Sequence, residues 1–294
     1  MYQAALWSDT TSIVNVASVP QRSPFRYPGG KTWLVPRIRQ WLASLPYQPA
    51  EFIEPFAGGA IVGLTVAAEG LADHVTLVEL DEAVAAVWQT IIHDDGGGEW
   101  LAERIVSFDL THESAKTVLT QLPRSTRERA FQTIIKNRVN RGGILAPGAG
   151  MIKGGENGKG LLSRWYPETL QRRILEIVKI RDRITFIHGD GMEVLRKNID
   201  REEAVFFLDP LYTASGKQAG SRLYSHSNLD HELLFDTTDL LTGDFLMTYD
   251  DAEEVRQLAR SRNFDLQTVA MKNTHHAKMS ELLIGRGLQW VKII

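Results

Sequence analysis

The 294-residue sequence contains no cysteine, which excludes disulfide bonds, thiolate catalysis and zinc sites with cysteine ligands. It also lacks an apolar run of the roughly 18 residues that a membrane span requires. The first residues have neither the charged start nor the apolar core of a signal peptide. The hydrophobic content of 43% suffices for a sizeable core in one or two domains. We therefore expect a cytoplasmic protein.

The formal net charge of -3 conceals an uneven distribution of charged residues. Residues 101–183 carry 16 Lys and Arg against 8 Asp and Glu, whereas the rest of the chain carries 17 against 28. A basic segment inside an acidic protein predicts a local surface that binds a polyanion. An ordinary solvated helical face is the alternative interpretation.

Strand-like and helix-like segments alternate along most of the chain. The predicted strands are residues 51–55, 74–80, 184–191, 204–210, 244–250, 266–271 and 281–286. Regular alternation with helices predicts an α/β protein with a doubly wound, mostly parallel sheet of seven strands. Only a short polar connection joins the last two strands, so we expect a terminal antiparallel hairpin there.

The alternation stops in the middle of the sequence. The stretch "DDGGGEW" (94–100) resembles a glycine-rich hinge, and a basic segment of helical pattern follows it. Residues 140–160 contain too many glycines for a regular helix and indicate a mobile loop or a hairpin. These features predict an inserted, mainly helical domain at 96–180. The sheet domain would comprise 24–95 and 181–294, and residues 1–23 would form an N-terminal arm.

Doubly wound sheets bind ligands at the carboxyl ends of their strands. There the glycines of "EPFAGGA" (54–60) permit close approach of a ligand, although a simple tight turn is the alternative. Glu79 follows Gly58 by 21 positions, a spacing that suits a carboxylate binding ribose hydroxyls. Asp81 could compete for that role. Asp190 could accept a hydrogen bond from an adenine amino group, cap a helix, or do both.

The stretch "FFLDPLYTASG" (206–216) ends an apolar strand in a carboxylate and a proline. Asp209 precedes Pro210 and is therefore held in an extended conformation at the strand tip. Pro210 has no N–H and offers only its carbonyl, and Tyr212 supplies an aromatic face. Together these groups suit a planar base that bears an exocyclic amine. A plain strand end with a surface tyrosine is the alternative.

Three motifs occur in an order typical of one family: "FRYPGGK" (25–31), "EPFAGG" (54–59) and "DPLY" (209–212). They resemble F-x-x-x-G-G-K, E-P-F-x-G and D-P-P-Y of the Dam-type, or D12 class, N6-adenine DNA methyltransferases. "NRGGILAPGAG" and "GKGLLSRWYPETLQRRI" resemble parts of that family's target-recognition domain, and "KMSELLIGR" (278–286) resembles its closing strand. The resemblance extends from about residue 24 to residue 286.

The resemblance implies a class I S-adenosylmethionine-dependent methyltransferase fold that moves a methyl group to N6 of a flipped-out adenine in double-stranded DNA. The implied catalytic residues are Asp209, Pro210 and Tyr212. The implied cofactor-binding residues are Tyr27, Gly29, Gly30, Lys31, Pro55, Phe56, Gly58, Glu79, Asp190 and Asp209. In the basic insert, Arg138, Asn140 and Arg141 are predicted to read base edges, and Lys153, Lys159 and Arg164 to contact phosphates.

Two positions depart from the family pattern. Leu211 replaces the second proline of D-P-P-Y, and Ala60 replaces a glycine found in some members, which matters only if that position needs a positive φ. Alternatives are an N4-cytosine methyltransferase and a catalytically weakened DNA-binding homologue. An NAD-dependent oxidoreductase is disfavoured because G-x-G-x-x-G is absent. The recognition sequence, the oligomeric state and the presence of a separate cognate restriction endonuclease stay open.

Overall fold

The computed structural model describes residues 19–26, 30–155, 158–210, 229–272 and 278–293. The strands are β1 (Glu51–Glu54), β2 (His74–Glu79), β3 (Ile184–His188), β4 (Ala204–Leu208), β5 (Phe245–Asp250), β6 (Asp265–Lys272) and β7 (Lys278–Gly285). They form one sheet of order β3-β2-β1-β4-β5-β7-β6. Neighbours among β1 to β5 are parallel, and β7 runs antiparallel to both β5 and β6. The predicted seven-stranded sheet with its terminal hairpin is confirmed.

Ten α-helices surround or extend this sheet in the described ranges. They are α1 (Val35–Ser44), α2 (Ile61–Glu69), α3 (Glu82–Trp88), α4 (Gly97–Val106), α5 (His112–Thr120), α6 (Thr126–Val139), α7 (Pro167–Val178), α8 (Gly191–Lys197), α9 (His231–Asp239) and α10 (Glu253–Arg260). A 3₁₀ turn, Lys31–Leu34, leads directly into α1. A π-helical segment, Gln89–His93, follows α3.

Alternate residues of the central strands enter two separate hydrophobic cores. Phe52 and Phe207 belong to the core that also holds side chains of α1 to α4, whereas Ile53 and Phe206 belong to the core beneath α8, α9 and α10. Every residue of β4 is buried. A strand covered on both faces must be apolar throughout, which explains the continuous run "AVFFL". The sheet is therefore doubly wound, as predicted.

The helices of the basic region pack onto α3 and onto each other. Leu101 of α4, Ile134 of α6 and Ile174 of α7 are fully buried and belong to the same core as Trp88. The predicted boundaries of a domain at 96–180 stay a prediction, as does its role in target recognition. What the structure establishes is a helical region whose core is continuous with one face of the sheet.

The predicted hinge at residues 94–100 is wrong, because α4 begins inside it. A Cβ atom at Gly97 would lie 2.4 Å from the carbonyl oxygen of Thr90, and one at Gly98 would lie 2.4 Å from Val178 Cγ2. The two glycines thus permit close packing of α4 against the π-helical segment and α7. Glycine is required at these positions because a side chain would clash with neighbouring atoms. A sequence pattern alone cannot distinguish that requirement from backbone flexibility.

The glycine-rich stretch after α6 closes like a hairpin. Asn140 and Met151 form an antiparallel bridge, Arg141 N donates to Gly150 O at 3.1 Å, and Ile152 N donates to Val139 O at 2.8 Å. Of the two predicted forms, loop or hairpin, these bonds support the hairpin.

Among the described helices, none has the length and apolar content to cross a bilayer.

The start of α8 lies against the end of β1. A Cβ atom at Gly191 would approach the carbonyl oxygen of Pro55 to 2.2 Å, whereas a Cβ atom at Gly189 would meet nothing closer than 3.5 Å. Glycine at 191 therefore allows the segment after β3 to contact the segment after β1.

Substitution Gly191→Ala is expected to lower the free energy of unfolding by about 1–3 kcal/mol, because backbone atoms must move to admit the methyl group. The matched change Gly189→Ala should alter it by less than about 0.5 kcal/mol. Urea denaturation of both variants tests this pair. Equal stability losses would show that the Pro55 contact is not the constraint.

Candidate functional site

The tips of β1, β2 and β3 are joined by backbone hydrogen bonds. Ala57 N donates to Val78 O at 2.9 Å, and Gly189 N donates to Glu79 O at 3.1 Å. Gly58 adopts a positive φ of 47° and accepts a hydrogen bond from Trp88 Nε1 at its carbonyl. These contacts hold the "EPFAGG" turn at the carboxyl edge of the sheet, where the sequence predicted it.

Glu79 binds backbone donors on both sides of its strand end. Its Oε2 accepts from Gly58 N at 2.9 Å, and its Oε1 accepts from Asp81 N at 2.8 Å. Burial raises the pKa of Glu79 to about 7, although these bonds favour its charged form. Asp81 instead caps α3 by accepting from the N–H groups of Ala83 and Val84. Glu79 is thus the acid that is fixed beside the glycine turn, and its role in binding ribose stays a prediction.

Asp190 caps α8 by accepting from Met192 N at 2.8 Å, and the residue stays exposed. The close contact between Gly191 and Pro55 places this exposed carboxylate beside the β1 turn. Pro55 is buried and Phe56 is half-buried in that turn. The structure therefore brings Pro55, Gly58, Glu79 and Asp190 to one edge of the sheet.

Ala60 adopts a left-handed conformation, with φ 50° and ψ 29°. This is the one non-glycine position of the turn at which a positive φ is required. An alanine there is strained by about 1–2 kcal/mol relative to a glycine. The departure from the family pattern at Ala60 thus has a local energetic cost, but the backbone still follows the path that glycine would take.

A second group of polar residues surrounds the buried side chain of Lys31, which is 3% exposed. Lys31 Nζ lies 2.9 Å from Asp209 Oδ1 and 3.6 Å from Glu281 Oε2. Thr248 Oγ1 donates to the same Asp209 oxygen at 2.7 Å. Asp209 follows β4, Thr248 lies on β5 and Glu281 on β7, so three strands supply the groups around this ammonium.

The charge states in this group are coupled. Burial lowers the pKa of Lys31, but Asp209, Glu281 and Asp250 outweigh that effect, and the pKa lies above its usual value. Lys31 therefore remains protonated. Burial raises the pKa of Glu281 to about 7, against the opposing effect of Lys31.

Glu54, at the end of β1, adds another buried acid. Its Oε2 accepts from Gly63 N at 2.8 Å in the first turn of α2, and burial raises the pKa of Glu54 well above its usual value. Together with Asp209, Asp250 and Glu281, it gives this edge, as far as the described residues show, more acidic groups than the ammonium of Lys31 balances. Such an excess of acceptors fits a ligand with a positive charge or an amino group.

Three predicted site residues lie outside the described part of the chain, Tyr27, Gly29 and Tyr212, as does Leu211, the departure from the family pattern. Gly30 is exposed and precedes the 3₁₀ turn that carries Lys31, and Pro210 is buried after Asp209. The sequence interpretation did not identify Glu281, Thr248 or Glu54.

Two of the predicted groove readers, Arg138 and Asn140, are buried. Arg138 is 5% exposed and donates through Nη2 to Pro24 O, and burial lowers its pKa to about 9, with Arg173 and Arg26 contributing. Asn140 is buried, and its Nδ2 donates to Ile144 O at 2.9 Å. Both side chains bind the protein's own carbonyls, and their role in reading base edges stays a prediction.

The other predicted DNA contacts are accessible in different degrees. Arg141, Lys153 and Lys159 are exposed, and Arg164 is half-buried. They lie on or next to the hairpin that follows α6. Their role in DNA binding stays a prediction, but their exposure permits contact with a partner.

Asn137 attaches the N-terminal segment to α6. It is fully buried, its Oδ1 accepts from Arg26 N at 2.9 Å, and its Nδ2 donates to Arg26 O at 2.9 Å and to Gly143 O at 2.8 Å. Arg173 of α7 adds a bond from Nη1 to Ser23 O at 3.1 Å. Residues 19–26 are thus fixed to α6 and α7, only five positions before Lys31.

The order of the strands, with an antiparallel β7 between β5 and β6, is the class I S-adenosylmethionine-dependent methyltransferase fold. Residues 27–128 match the model of the D12 class N6 adenine-specific DNA methyltransferase family. The resemblance predicted from the motifs is confirmed for that segment. Family match and fold together support methyl transfer with S-adenosylmethionine.

Solved structures show a distant likeness. A methyltransferase from Geobacter sulfurreducens is 13% identical, with a TM-score of 0.38 over 89% of this chain and 80% of that chain. An rRNA methyltransferase from Streptomyces viridochromogenes is 12% identical, with a TM-score of 0.37 over 88% of this chain and 86% of that chain. No curated protein matches the sequence.

Replacing Asn137 by alanine is expected to lower the free energy of unfolding by about 2–4 kcal/mol, because three backbone groups, two part-buried and one buried, lose their Asn137 partner. The exposed Thr126 on the same helix provides a control, and Thr126→Ala should change stability by less than about 0.5 kcal/mol. Denaturant titration of both variants measures the difference. A loss for Asn137→Ala no larger than that of the control would contradict the proposed attachment.

Proposed function

We propose that the protein is a site-specific DNA methyltransferase that transfers a methyl group from S-adenosylmethionine to N6 of adenine in double-stranded DNA. The observation that carries the proposal is the position of Asp209. It lies at the tip of the central strand β4, where Lys31 and Thr248 fix its carboxylate beside the matched "EPFAGG" segment. A half-buried, oriented acceptor at this place suits the exocyclic amine of a base.

The residues at the ends of β1, β2 and β3 fit the cofactor. Glu79 retains acceptor capacity for ribose hydroxyls beyond its two backbone bonds, and exposed Asp190 can accept from an adenine amino group. Pro55, Phe56 and Gly58 would line the methionine side, near Gly30 and Lys31. The excess of acidic groups there favours a positively charged ligand. When bound, S-adenosylmethionine supplies a methyl group attached to a cationic sulfonium.

The target amine is a poor nucleophile because its lone pair is delocalised into the adenine ring. Hydrogen bonds from N6 to the Asp209 carboxylate and the Pro210 carbonyl would draw that nitrogen towards a tetrahedral form and aim its lone pair. As the new N–C bond forms, the S–CH₃ bond of the cofactor would break and N6 would lose one proton, which the Asp209 carboxylate would accept. The contribution of these residues is therefore orientation and electrostatics.

An adenine inside a duplex cannot enter such a pocket, so the base must be flipped out. Tyr212, two residues after Pro210, would stack on the base and recover about 1–3 kcal/mol of the unstacking cost. The basic helical region would hold the duplex. Exposed Arg141, Lys153 and Lys159 are suited to phosphates or base edges, with Arg164 beside them.

Substitution Asp209→Asn is expected to reduce methylation by at least about 10²-fold, because the amide loses the negative charge that polarises the amine. Binding of S-adenosylmethionine should change by only a few-fold. The measurement is transfer of labelled methyl groups to DNA, with nuclease digestion of the product to identify the modified nucleoside. Exposed Asp200 provides the control, and Asp200→Asn should retain full activity.

The digestion also separates the alternatives. N4-methylcytosine as the product would replace adenine as the target. Transfer of no label by the wild-type protein, with DNA still bound, would identify a catalytically weakened binding protein. Near-normal turnover of Asp209→Asn would remove Asp209 from the mechanism.

The affinity for DNA is expected to fall steeply with salt, and a Lys153→Gln, Lys159→Gln double variant should reduce the slope of log K against log salt by roughly 2. Each exposed lysine that neutralises a phosphate releases about one counterion. Lys197 lies on α8, outside the basic region, and Lys197→Gln should leave the slope unchanged. Fluorescence anisotropy at several salt concentrations gives the slopes, and equal slopes for all three proteins would contradict phosphate contacts by this pair.

A further inference from the structure

Glu281 is a buried acid with one carboxylate oxygen that lacks a hydrogen bond among the described residues. Glu281 is 3% exposed, and in the described part of the chain Lys31 Nζ, at 3.6 Å, is the cation paired with this Oε2. A buried carboxylate oxygen without a hydrogen bond is costly, because it has lost its water and gained little in exchange. Such a group requires an explanation in terms of function.

The ammonium of Lys31 lies between two carboxylates at unequal distances. It is 2.9 Å from Asp209 Oδ1 and 3.6 Å from Glu281 Oε2. A charge-assisted hydrogen bond has a length of about 2.8 Å, so a movement on the order of 1 Å would bond Lys31 to Glu281. The long side chain of lysine allows this shift without a change in the backbone.

Asp209 faces a conflict in the proposed reaction. The ammonium that fixes its carboxylate also withdraws negative charge from it, and a weakened carboxylate polarises the N6 amine less. Before the base binds, the ion pair with Lys31 is favourable because it fixes the Asp209 carboxylate. Once the amine donates to Asp209, the same ion pair is unfavourable because it reduces the negative charge on that carboxylate.

We propose that Glu281 is a positioning residue that accepts Lys31 when the target amine binds to Asp209. This proposal rests on the proposed function, since it requires an amine that donates to Asp209. The ammonium stays paired throughout, which avoids a buried unpaired charge. Asp209 becomes the stronger acceptor at the moment when the amine must be polarised.

Among the described residues, the charged groups around Glu281 come from three elements. Lys31 faces it from the 3₁₀ turn, Asp209 from the end of β4, and Asp250 from β5, where it is the cross-strand partner of Glu281. On β6 the cross-strand partner is the apolar Val269. Burial raises the pKa of Glu281 to about 7. Because only the ionised carboxylate can attract Lys31, turnover should increase as pH rises through about 7.

The test is E281Q, which keeps the size of the side chain and removes its charge. At saturating DNA and S-adenosylmethionine, we expect kcat to fall by about 10-fold to 100-fold, with KM for DNA unchanged. The rise of kcat through pH 7 should disappear. Saturating cofactor is needed because the pKa of Glu79 is also about 7, and its titration would act on cofactor binding.

E281D retains a carboxylate and should keep the pH-dependent rise at a reduced kcat. E51Q provides a matched control at the opposite edge of the sheet, where Glu51 bonds to Thr76 and Arg201, and it should match the wild type in kcat and pH profile. Thermal unfolding confirms that E281Q is folded, since removal of a buried charge should not lower its Tm.

A wild-type kcat and pH profile in folded E281Q would overturn the proposal, as would loss of the pH-dependent rise in E281D. Failure of the proposed function has a different signature, because the wild-type protein would then form no N6-methyladenine at any pH.

Discussion

The structure depends on one buried cation, the ammonium of Lys31. Removing such a group from water costs several kcal/mol unless anionic partners compensate for it. Those partners, Asp209 and Glu281, come from the end of β4 and from β7, which are separated in the sheet by β5. The pairing is satisfied only when β4, β5 and β7 are assembled in this order and the segment before α1 lies across their edge. The ion pairs therefore connect the correct topology of the sheet to the geometry of the site.

The same segment also connects the site to the helical region. Asn137 and Arg173 bind the backbone of residues 19–26, and this segment leads into the turn that carries Lys31. A movement of α6 or α7 on a partner would act on the backbone only a few residues from the ammonium. Hydrogen bonds between neighbouring elements can couple two sites. Binding by the basic region and alignment of Asp209 need not be independent events.

Much of the fold could be predicted from the sequence because strand and helix patterns are local. The run "AVFFL", the final pair of strands and the positions of Glu79, Asp190 and Asp209 at strand ends follow from apolar periodicity alone. Burial of charged residues does not follow so directly. Arg138 was predicted to read DNA from its charge, yet it lies three and four positions after Ile135 and Ile134, on the buried face of α6. The helical spacing of Arg138 from these two buried isoleucines was the signal in the sequence for its burial. That spacing was a better guide to the position of Arg138 than its charge.

Glu281 was not identified from the sequence, and the reason is geometric. Ligand residues were sought where strands end, which is correct for parallel strands because their carboxyl ends share one edge. β7 runs in the opposite direction, so the start of this strand, not its end, reaches that edge, and Glu281 is paired across from Asp250. In a sheet with a terminal antiparallel hairpin, acids must therefore be sought early in the last strand. The antiparallel strand is what allows a third acid, beside Asp209 and Asp250, to approach Lys31 without lengthening any of the parallel strands, and the charge balance around this ammonium follows from the direction of that one strand.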